Sequence, residues 1–413
     1  MVKTKIAVIG GGAAGLMAAG RAAQNGADVT VFERNSLLAK KLGITGKGRC
    51  NVTNDCTPEA FMNNLTSNRK FMFSAINRFS PQNTMSFFES LGVPLKTERG
   101  NRVFPVSDKA VDIVMAMKKY VISSGCHIVT ARVRSLTADG GVISGIVTEH
   151  ATHTGFDAVI LATGGMSYPL TGSTGDGYKM AEALGHTVVP PTPSLVGIES
   201  EDKLCRDCQG LAPKNVGIRV LDTAKNKVIY DDFGEMLFTH FGVSGPLILS
   251  ASAHMRPMEK GRYRILIDMK PALDSETLDK RILSDFDKYK NKNLENALTD
   301  LMPSKLIRPY ISVCGLSPEV KVNAITHAER AKMTETLKAL PVSVRGFRPI
   351  DEAIVTSGGI KTSEIEPSTM RSKLIENLYF AGEIIDVDAY TGGFNLQIAF
   401  STAVAAADAA SGI

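Results

Sequence analysis

Gly10, Gly12 and Gly15 fit the pattern Gly-x-Gly-x-x-Gly, and Glu33 follows 18 residues after the last of them. In such a run the first glycine makes a tight turn, the second lets a pyrophosphate approach the backbone, and the third lets a helix pack close to a strand. An acid at that distance accepts hydrogen bonds from a ribose. Ala13 and Ala14 fall in the first turn of the expected helix, whose free N–H groups and positive dipole end suit phosphates. The bland reading is a glycine turn in an ordinary βαβ unit, with Glu33 incidental. Against it stands the order of parts: strand, turn, helix, Asn25-Gly26 stop, strand and acid, all within 33 residues.

A second glycine loop follows at 43–54. Gly43, Gly46 and Gly48 let backbone N–H groups converge, Lys40, Lys41, Lys47 and Arg49 bring positive charge, and Asn51 and Asn54 both donate and accept. Such a loop suits the far side of a pyrophosphate and the polar edge of a flavin ring; a basic exposed loop is the alternative. Ala158–Leu161, ending in Ala162-Thr163-Gly164-Gly165, repeats the opening device and returns the chain to a nucleotide as in two-segment FAD folds. Near the C-terminus, Gly382-Glu383, Asp386 and Gly393-Phe394-Asn395-Leu396-Gln397 precede an alanine-rich helix. A helix starting near Asn395 would stabilise the negative charge that develops on a flavin pyrimidine during reduction.

These residues need strands and helices to hold them. Ile6–Ile9 and Asp28–Phe32 read as strands and 13–24 as the helix between. Residues 58–120 read as mainly helical, around a hairpin at 93–104, and strands at 127–133 and 145–148 flank Gly140-Gly141. Pro190, Pro191 and Pro193 mark a change of pattern. Short strands at 195–199, 216–221, 227–230, 236–241 and 263–269 suggest a small antiparallel barrel. Helices are expected at 277–289, 293–301, 305–314, 318–327 and 330–340. The expected architecture is α/β: a Rossmann-type dinucleotide-binding domain from residues 1–190 and 346–413. The inserted β-barrel-like domain is 191–345, with a helical lobe at about 274–340.

The 413 residues, 44% hydrophobic and 22% charged, describe a globular chain of two or three domains. The net charge of +5, with both signs mixed through the insert, gives weak support to a nucleic-acid partner, and none is expected. The first strand begins at residue 4 or 5, leaving no room for a signal peptide, and no apolar run is long enough to span a membrane. With six cysteines, the expectation is a cytoplasmic protein without a membrane partner.

Taken together these blocks resemble the BaiN-like (YhiN-like) NAD(P)/FAD-dependent oxidoreductases, also labelled the aminoacetone oxidase family. The matching stretches are Gly10–Gly15 with Glu33, Gly46–Asn54, Ala162–Gly165, Phe238–Pro246, Thr356–Gly359 and Gly382–Gln397, in family order along the chain. The resemblance implies a glutathione-reductase-like FAD-binding domain made of both termini, with an inserted β-barrel-like domain bearing a helical lobe. It also implies non-covalent FAD and a small organic substrate, with NADH or NADPH as a transient electron donor. It places Gly10, Gly12, Ala13, Ala14 and Gly15 at the pyrophosphate and Glu33, with Arg34 and Lys41 nearby, at the adenosine ribose. Gly48, Arg49 and Asn51 fall towards the phosphates and flavin, and Val133 towards the adenine edge. Ala162, Thr163 and Gly164 form the return crossing. Gly382, Glu383 and Asp386 reach the ribityl chain and phosphates; Gly393, Asn395 and Leu396 meet the flavin pyrimidine.

A double-bond reductase needs a proton donor beside its hydride source, whereas an amine oxidase, the other flavin reading, needs only a base or a neutral amine. His240 is the first candidate, because a histidine titrates near neutral pH; a structural histidine at a strand end is its bland reading. Tyr168 and Tyr390 are secondary, and Arg102 could bind a substrate carboxylate or simply be solvated. Cys50 and Cys56 have five intervening residues, where flavin disulfide reductases use four and carry a second nucleotide domain. Cys205-Arg-Asp-Cys208 has metal-like spacing but no second pair, so no metal is expected. Transfer-RNA modification or a non-catalytic flavin-binding role is the alternative from another class.

Overall fold

The computed structural model describes residues 3–413. The chain divides into two compact units: one runs up to Ser194 and resumes at Ile350–Ile413, and Leu195–Pro349 forms the other. The divisions fall four residues beyond each boundary read from composition.

The first unit is built on a five-stranded sheet of β1 (Lys5–Ile9), β2 (Asp28–Glu33), β3 (His127–Thr130), β4 (Ala158–Leu161) and β5 (Leu378–Phe380). The spatial order is β5-β4-β1-β2-β3, and every pairing is parallel. Ile6–Ile9 and Val159–Leu161 are almost wholly buried, as expected for strands covered on both faces. Helix α1 (Ala13–Gln24) joins β1 to β2 and packs on α2 (Phe394–Ala410). Alanine dominates α2 because nearly all its residues are buried. Its Asp408 accepts hydrogen bonds from Arg21 Nε at 2.6 Å and Asn25 Nδ2 at 3.0 Å, tying the two helices at their C-terminal ends. Strands Val188–Ser194 and Val355–Ile360 pair antiparallel where the chain leaves this unit and returns.

In the second unit the expected barrel takes the form of two four-stranded antiparallel sheets. One contains Leu237–Thr239, Gly242–Ser244, Ile198–Glu199 and Gly346–Phe347; the other contains Lys227–Gly234, Val216–Asp222, Tyr263–Asp268 and Leu340–Ser343. Helices Ser275–Lys288, Ser304–Cys314 and His327–Lys338 make the lobe. The helix expected at 318–327 is absent. Leu294 N donates to Val320 O and Asn293 bridges Lys321, so the segment runs through a turn and the short 3-10 turn Val322–Ala324 instead. A capping box of Thr326 and Glu329 then starts the next helix at His327. The helix expected at 293–301 is a single turn, Leu294–Ala297. Among the described residues no helix is long and apolar enough to cross a membrane.

Candidate functional site

The sheet register brings the distant blocks together. Ile9 pairs with Phe32 and Leu161, and Leu161 pairs with Phe380, so β2, β1, β4 and β5 end level with one another. Glu33, Gly10, Ala162 and Ala381 therefore leave one edge of the sheet side by side, at the carboxyl ends of parallel strands where open α/β sheets bind their ligands.

Sterics explain the glycines at that edge. Gly10 has φ of 107°, and a Cβ on it would lie 2.5 Å from Ala162 O. A Cβ on Gly15 would lie 1.8 Å from Gly10 O, so only glycine lets α1 start this close to β1. Gly12 is different: its backbone is extended, and a Cβ would meet nothing within 4 Å. The middle glycine thus keeps a space open beside the start of α1. That helix begins with no side-chain cap and no acid in its first turn, and its first N–H groups lack intrahelical partners.

Glu33 is buried; its Oε2 accepts from Gly11 N at 2.7 Å and its Oε1 from Asn35 N at 2.8 Å and Asn35 Nδ2 at 2.7 Å. The same acid that could face a ribose thus ties down the glycine turn. Arg34 Nη1 donates to Thr174 Oγ1 (2.7 Å) and Asp176 (3.2 Å), and Arg132 pairs bidentately with the same Asp176. Val133 is buried and opens the strand Val133–Asp139, just after Ala131 N donates to Glu33 O.

Lys41 and Glu383 form an ion pair at 2.6 Å. Lys41 Nζ also donates to Ser167 Oγ at 2.8 Å, while Glu383 Oε1 accepts from Thr356 N at 2.9 Å. Thr356 Oγ1 in turn accepts from Met166 N and Ser167 N. Gly164 lies beside Ser173 and Glu383, and Gly382 faces Ala14 in the first turn of α1. The basic loop, the return crossing and the Gly-Glu turn are therefore one hydrogen-bonded group. Ser167 and Thr356 were missed as site residues. Thr356 lies within a recognised block, but nothing in the sequence singles out Ser167.

Two expected contacts take another form. Arg49 directs its guanidinium to Glu98 and Asp108, each at 2.5 Å, and stacks over Phe104. The Arg49 bond holds the Glu98 carboxyl below its usual range, and Lys96 first and Arg49 second do the same for Asp108, so the charge of Arg49 is balanced within the chain rather than offered to a phosphate. The Asn395 amide is occupied by the preceding loop, with Ala389 N donating to its Oδ1 and Nδ2 donating to Ala389 O and Tyr390 O. It shapes the entry to α2, whose cap is Gly393 at φ 99°; Leu396 is half-buried in the first turn. Asp386 accepts from Asn68 Nδ2. Gly48 has a positive φ in the tight turn before Arg49, with Gly46, Lys47 and Cys50 also left-handed.

Gln397 is the residue whose weight the sequence did not show. Fully buried, its Oε1 accepts from Thr53 Oγ1 at 2.6 Å and Thr84 Oγ1 at 2.8 Å, and its Nε2 donates to Phe79 O and Ser401 Oγ. It joins the end of the basic loop to the first turns of α2.

Of the catalytic candidates, Tyr168 follows Ser167 directly, in a left-handed conformation and about one-third exposed. Arg102 is exposed on the hairpin Leu95–Glu98/Arg102–Pro105, with Nε on Arg99 O. His240 belongs to the second unit, exposed at the turn between Leu237–Thr239 and Gly242–Ser244 and edge-on to Phe241. Cys205 and Cys208 are buried as free thiols, and no group of metal-binding side chains occurs among the described residues.

The donor set fits a dinucleotide. Besides the space at Gly12 and the uncapped helix, Thr163 Oγ1 and Asn51 Oδ1 are buried with no hydrogen-bond partner, which is rare in a finished interior.

Fold and site together define a Rossmann-type dinucleotide-binding protein. The HI0933-like protein Rossmann domain family matches residues 4–409, and the chain belongs to that family of FAD-dependent oxidoreductases. It is 30% identical over 416 residues to the 3-dehydro-bile acid delta(4,6)-reductase of Clostridium scindens, covering 98% of each chain. To the ribosomal RNA dihydrouridine synthase of Escherichia coli it is 30% identical over 403 residues, covering 97% of this chain and 96% of that one. Among solved structures, 3-ketosteroid-delta4-(5alpha)-dehydrogenase from Rhodococcus jostii RHA1 shares the fold, with a TM-score of 0.55 at 16% identity over 100% of this chain and 98% of that one.

Proposed function

We propose that the protein reduces a carbon–carbon double bond conjugated to a carbonyl, using NADH or NADPH as the electron source. The observation that carries this reading is the pair of end-to-end relatives. A 3-oxo steroid with Δ4 and Δ6 double bonds and a uracil ring differ in almost everything except an alkene beside a carbonyl.

Gly10, Gly12, Ala13, Ala14 and Gly15 hold the FAD pyrophosphate in this proposal, Glu33 the adenosine ribose, and Thr163 and Asn51 use their unpaired atoms on the cofactor. Lys41, Ser167, Thr356 and Glu383 set the floor of the site by holding one another. When bound, FAD supplies the two-electron redox chemistry. The chain supplies the pose of the double bond and the proton that completes the reduction. Tyr168 and His240 are the side chains proposed to deliver it, and Arg102 is proposed to bind an acidic substrate group.

The test is anaerobic. NADH or NADPH should bleach the flavin of the purified protein, and a 3-oxo-Δ4 steroid or a uridine-containing RNA should restore its colour. Tyr168→Phe or His240→Asn should slow that second half-reaction and leave bleaching unchanged. Failure of both substrate classes to reoxidise a bleached flavin would overturn the reading. The RNA arm departs from the expectation of no nucleic-acid partner, and the helical lobe bears on it.

A further inference from the structure

We infer that the loop Lys288–Asn293 and the adjacent Lys321 form a docking surface for an RNA phosphate backbone; this rests on the reading that the reduced ring is a uracil carried in RNA. The loop reads Lys-Tyr-Lys-Asn-Lys-Asn, without an acid. Lys288, Lys290, Lys292 and Lys321 are all exposed. Residues 195–349 hold 24 Lys and Arg against 20 Asp and Glu, so +4 of the net +5 lies in this unit.

Packing gives the loop a fixed shape. Lys292 N donates to Tyr289 O, Val322 N to Lys292 O and Leu294 N to Val320 O, while Asn293 bridges Lys321. The Tyr289 hydroxyl is anchored on Asp300 at 2.6 Å. Two ammonium groups then lie against its ring, Lys288 Nζ at 4.7 Å and Lys292 Nζ at 4.4 Å from the centroid. Lys321 Nζ reaches Asn291 O at 3.3 Å, which adds a third cation to the same loop. Lys288 is neutralised by Asp300. Among the described residues, Lys290, Lys292 and Lys321 form no ion pair with a carboxylate. Lys292 and Lys321 held at the loop, with exposed Lys290 two residues before Lys292 and none of the three ion-paired, suit a polyanion. Exposed Asn291 beside them and the Tyr289 phenol ring among them add hydrogen-bonding and stacking groups of the kind RNA uses.

The experiment uses FAD-loaded full-length protein and a fluorescent hairpin RNA with uridines in its loop, with anisotropy read across a salt series. The test variant is Lys290→Glu/Lys292→Glu/Lys321→Glu. The control, Lys214→Glu/Lys225→Glu/Lys227→Glu, changes net charge equally at exposed positions elsewhere in the unit. Expected for the test variant are RNA affinity weakened on the order of tenfold or more and a log–log salt slope shallower by about 2. Its melting temperature and its flavin bleaching by NAD(P)H should match wild type, and the control should bind like wild type. An unchanged affinity and slope in the test variant would overturn the inference. So would equal losses in test and control, or lysine-dependent binding of phosphatidylserine vesicles with none of RNA. Reoxidation by a uridine dinucleotide is measured alongside. If it occurs while the lysines prove irrelevant, docking fails and the reductase reading stands; if no substrate reoxidises the flavin, that reading fails by its own readout.

Discussion

The space beside Gly12 makes a prediction that separates folding from cofactor binding. Serine at this position finds an extended N-cap conformation, φ −82° and ψ −168°, and no atom within 4 Å of its Cβ. Its hydroxyl would cap the N–H groups at the start of α1. In the FAD-free protein, Gly12→Ser therefore gains a few tenths of a kcal/mol from the cap and about 0.4–1 kcal/mol from a less flexible unfolded chain. The sum, about 1 kcal/mol, raises the melting temperature by roughly 2 °C for a unit of this size.

Cofactor binding should move the other way, because the same hydroxyl and Cβ occupy the phosphate space and its donors. Losing one hydrogen bond to a charged group costs about 1.5–3 kcal/mol, a rise in Kd of roughly ten- to a hundredfold or somewhat more. Quenching of flavin fluorescence on titration, with thermal unfolding of the apo protein, measures both. Gly10→Ser is the control. With φ of 107° and Ala162 O at 2.5 Å it should destabilise the apo protein itself. If Gly12→Ser bound FAD as tightly as wild type, the phosphate cradle would not be at the start of α1. If it destabilised the apo protein as Gly10→Ser does, the steric argument would fail.

Two other measurements follow from the same geometry. Gln397→Leu deprives the buried Thr53 and Thr84 hydroxyls of their acceptor. At about 1–3 kcal/mol for each, unfolding in denaturant should show a loss of about 2–6 kcal/mol; less than 1 kcal/mol would mean the hydroxyls find other acceptors. Burial pushes the thiols of Cys50 and Cys205 up to about 12 and that of Cys208 to about 11. Between pH 9 and these values the unfolded chain holds fewer protons than the native one, so stability present in full below pH 9 falls as pH rises through the window. Iodoacetamide at pH 8 should label these three cysteines only in denaturant, and modification of native Cys50 detected by mass spectrometry would contradict the burial argument.

What could be read in advance was whatever depends on near neighbours in the chain. The turn at Gly10–Gly15 is legible because its steric demands fall within six residues of one another, and the apolar strands flanking it declare their burial by composition. The lobe was read less well for a local reason: Thr326 and Glu329 are a capping box that places a helix start at His327, and a helix drawn through 318–327 overrides it. Other features had no local signature. Thr53 meets Gln397 across 344 residues, and Ser167 meets Thr356 across 189. Arg49 sits in a basic loop that reads as a phosphate binder, yet its partners Glu98 and Asp108 come from the next hairpin and the turn after it.

The lysine loop shows the same limit for charge. Averaged over the insert, cations and anions nearly balance, which argues against a nucleic-acid surface. In the fold, Asp300 forms an ion pair with Lys288 alone among the four lysines, and the pairing of 293 with 321 brings a fourth lysine to the other three. A mixed composition is thus compatible with a surface of one sign, because the screening length in physiological salt is about 8 Å. A phosphate at the loop therefore responds to the lysines within that radius and hardly to acids elsewhere in the unit. Salt dependence is accordingly the readout that composition cannot replace: it counts the cations a polyanion displaces counterions to meet.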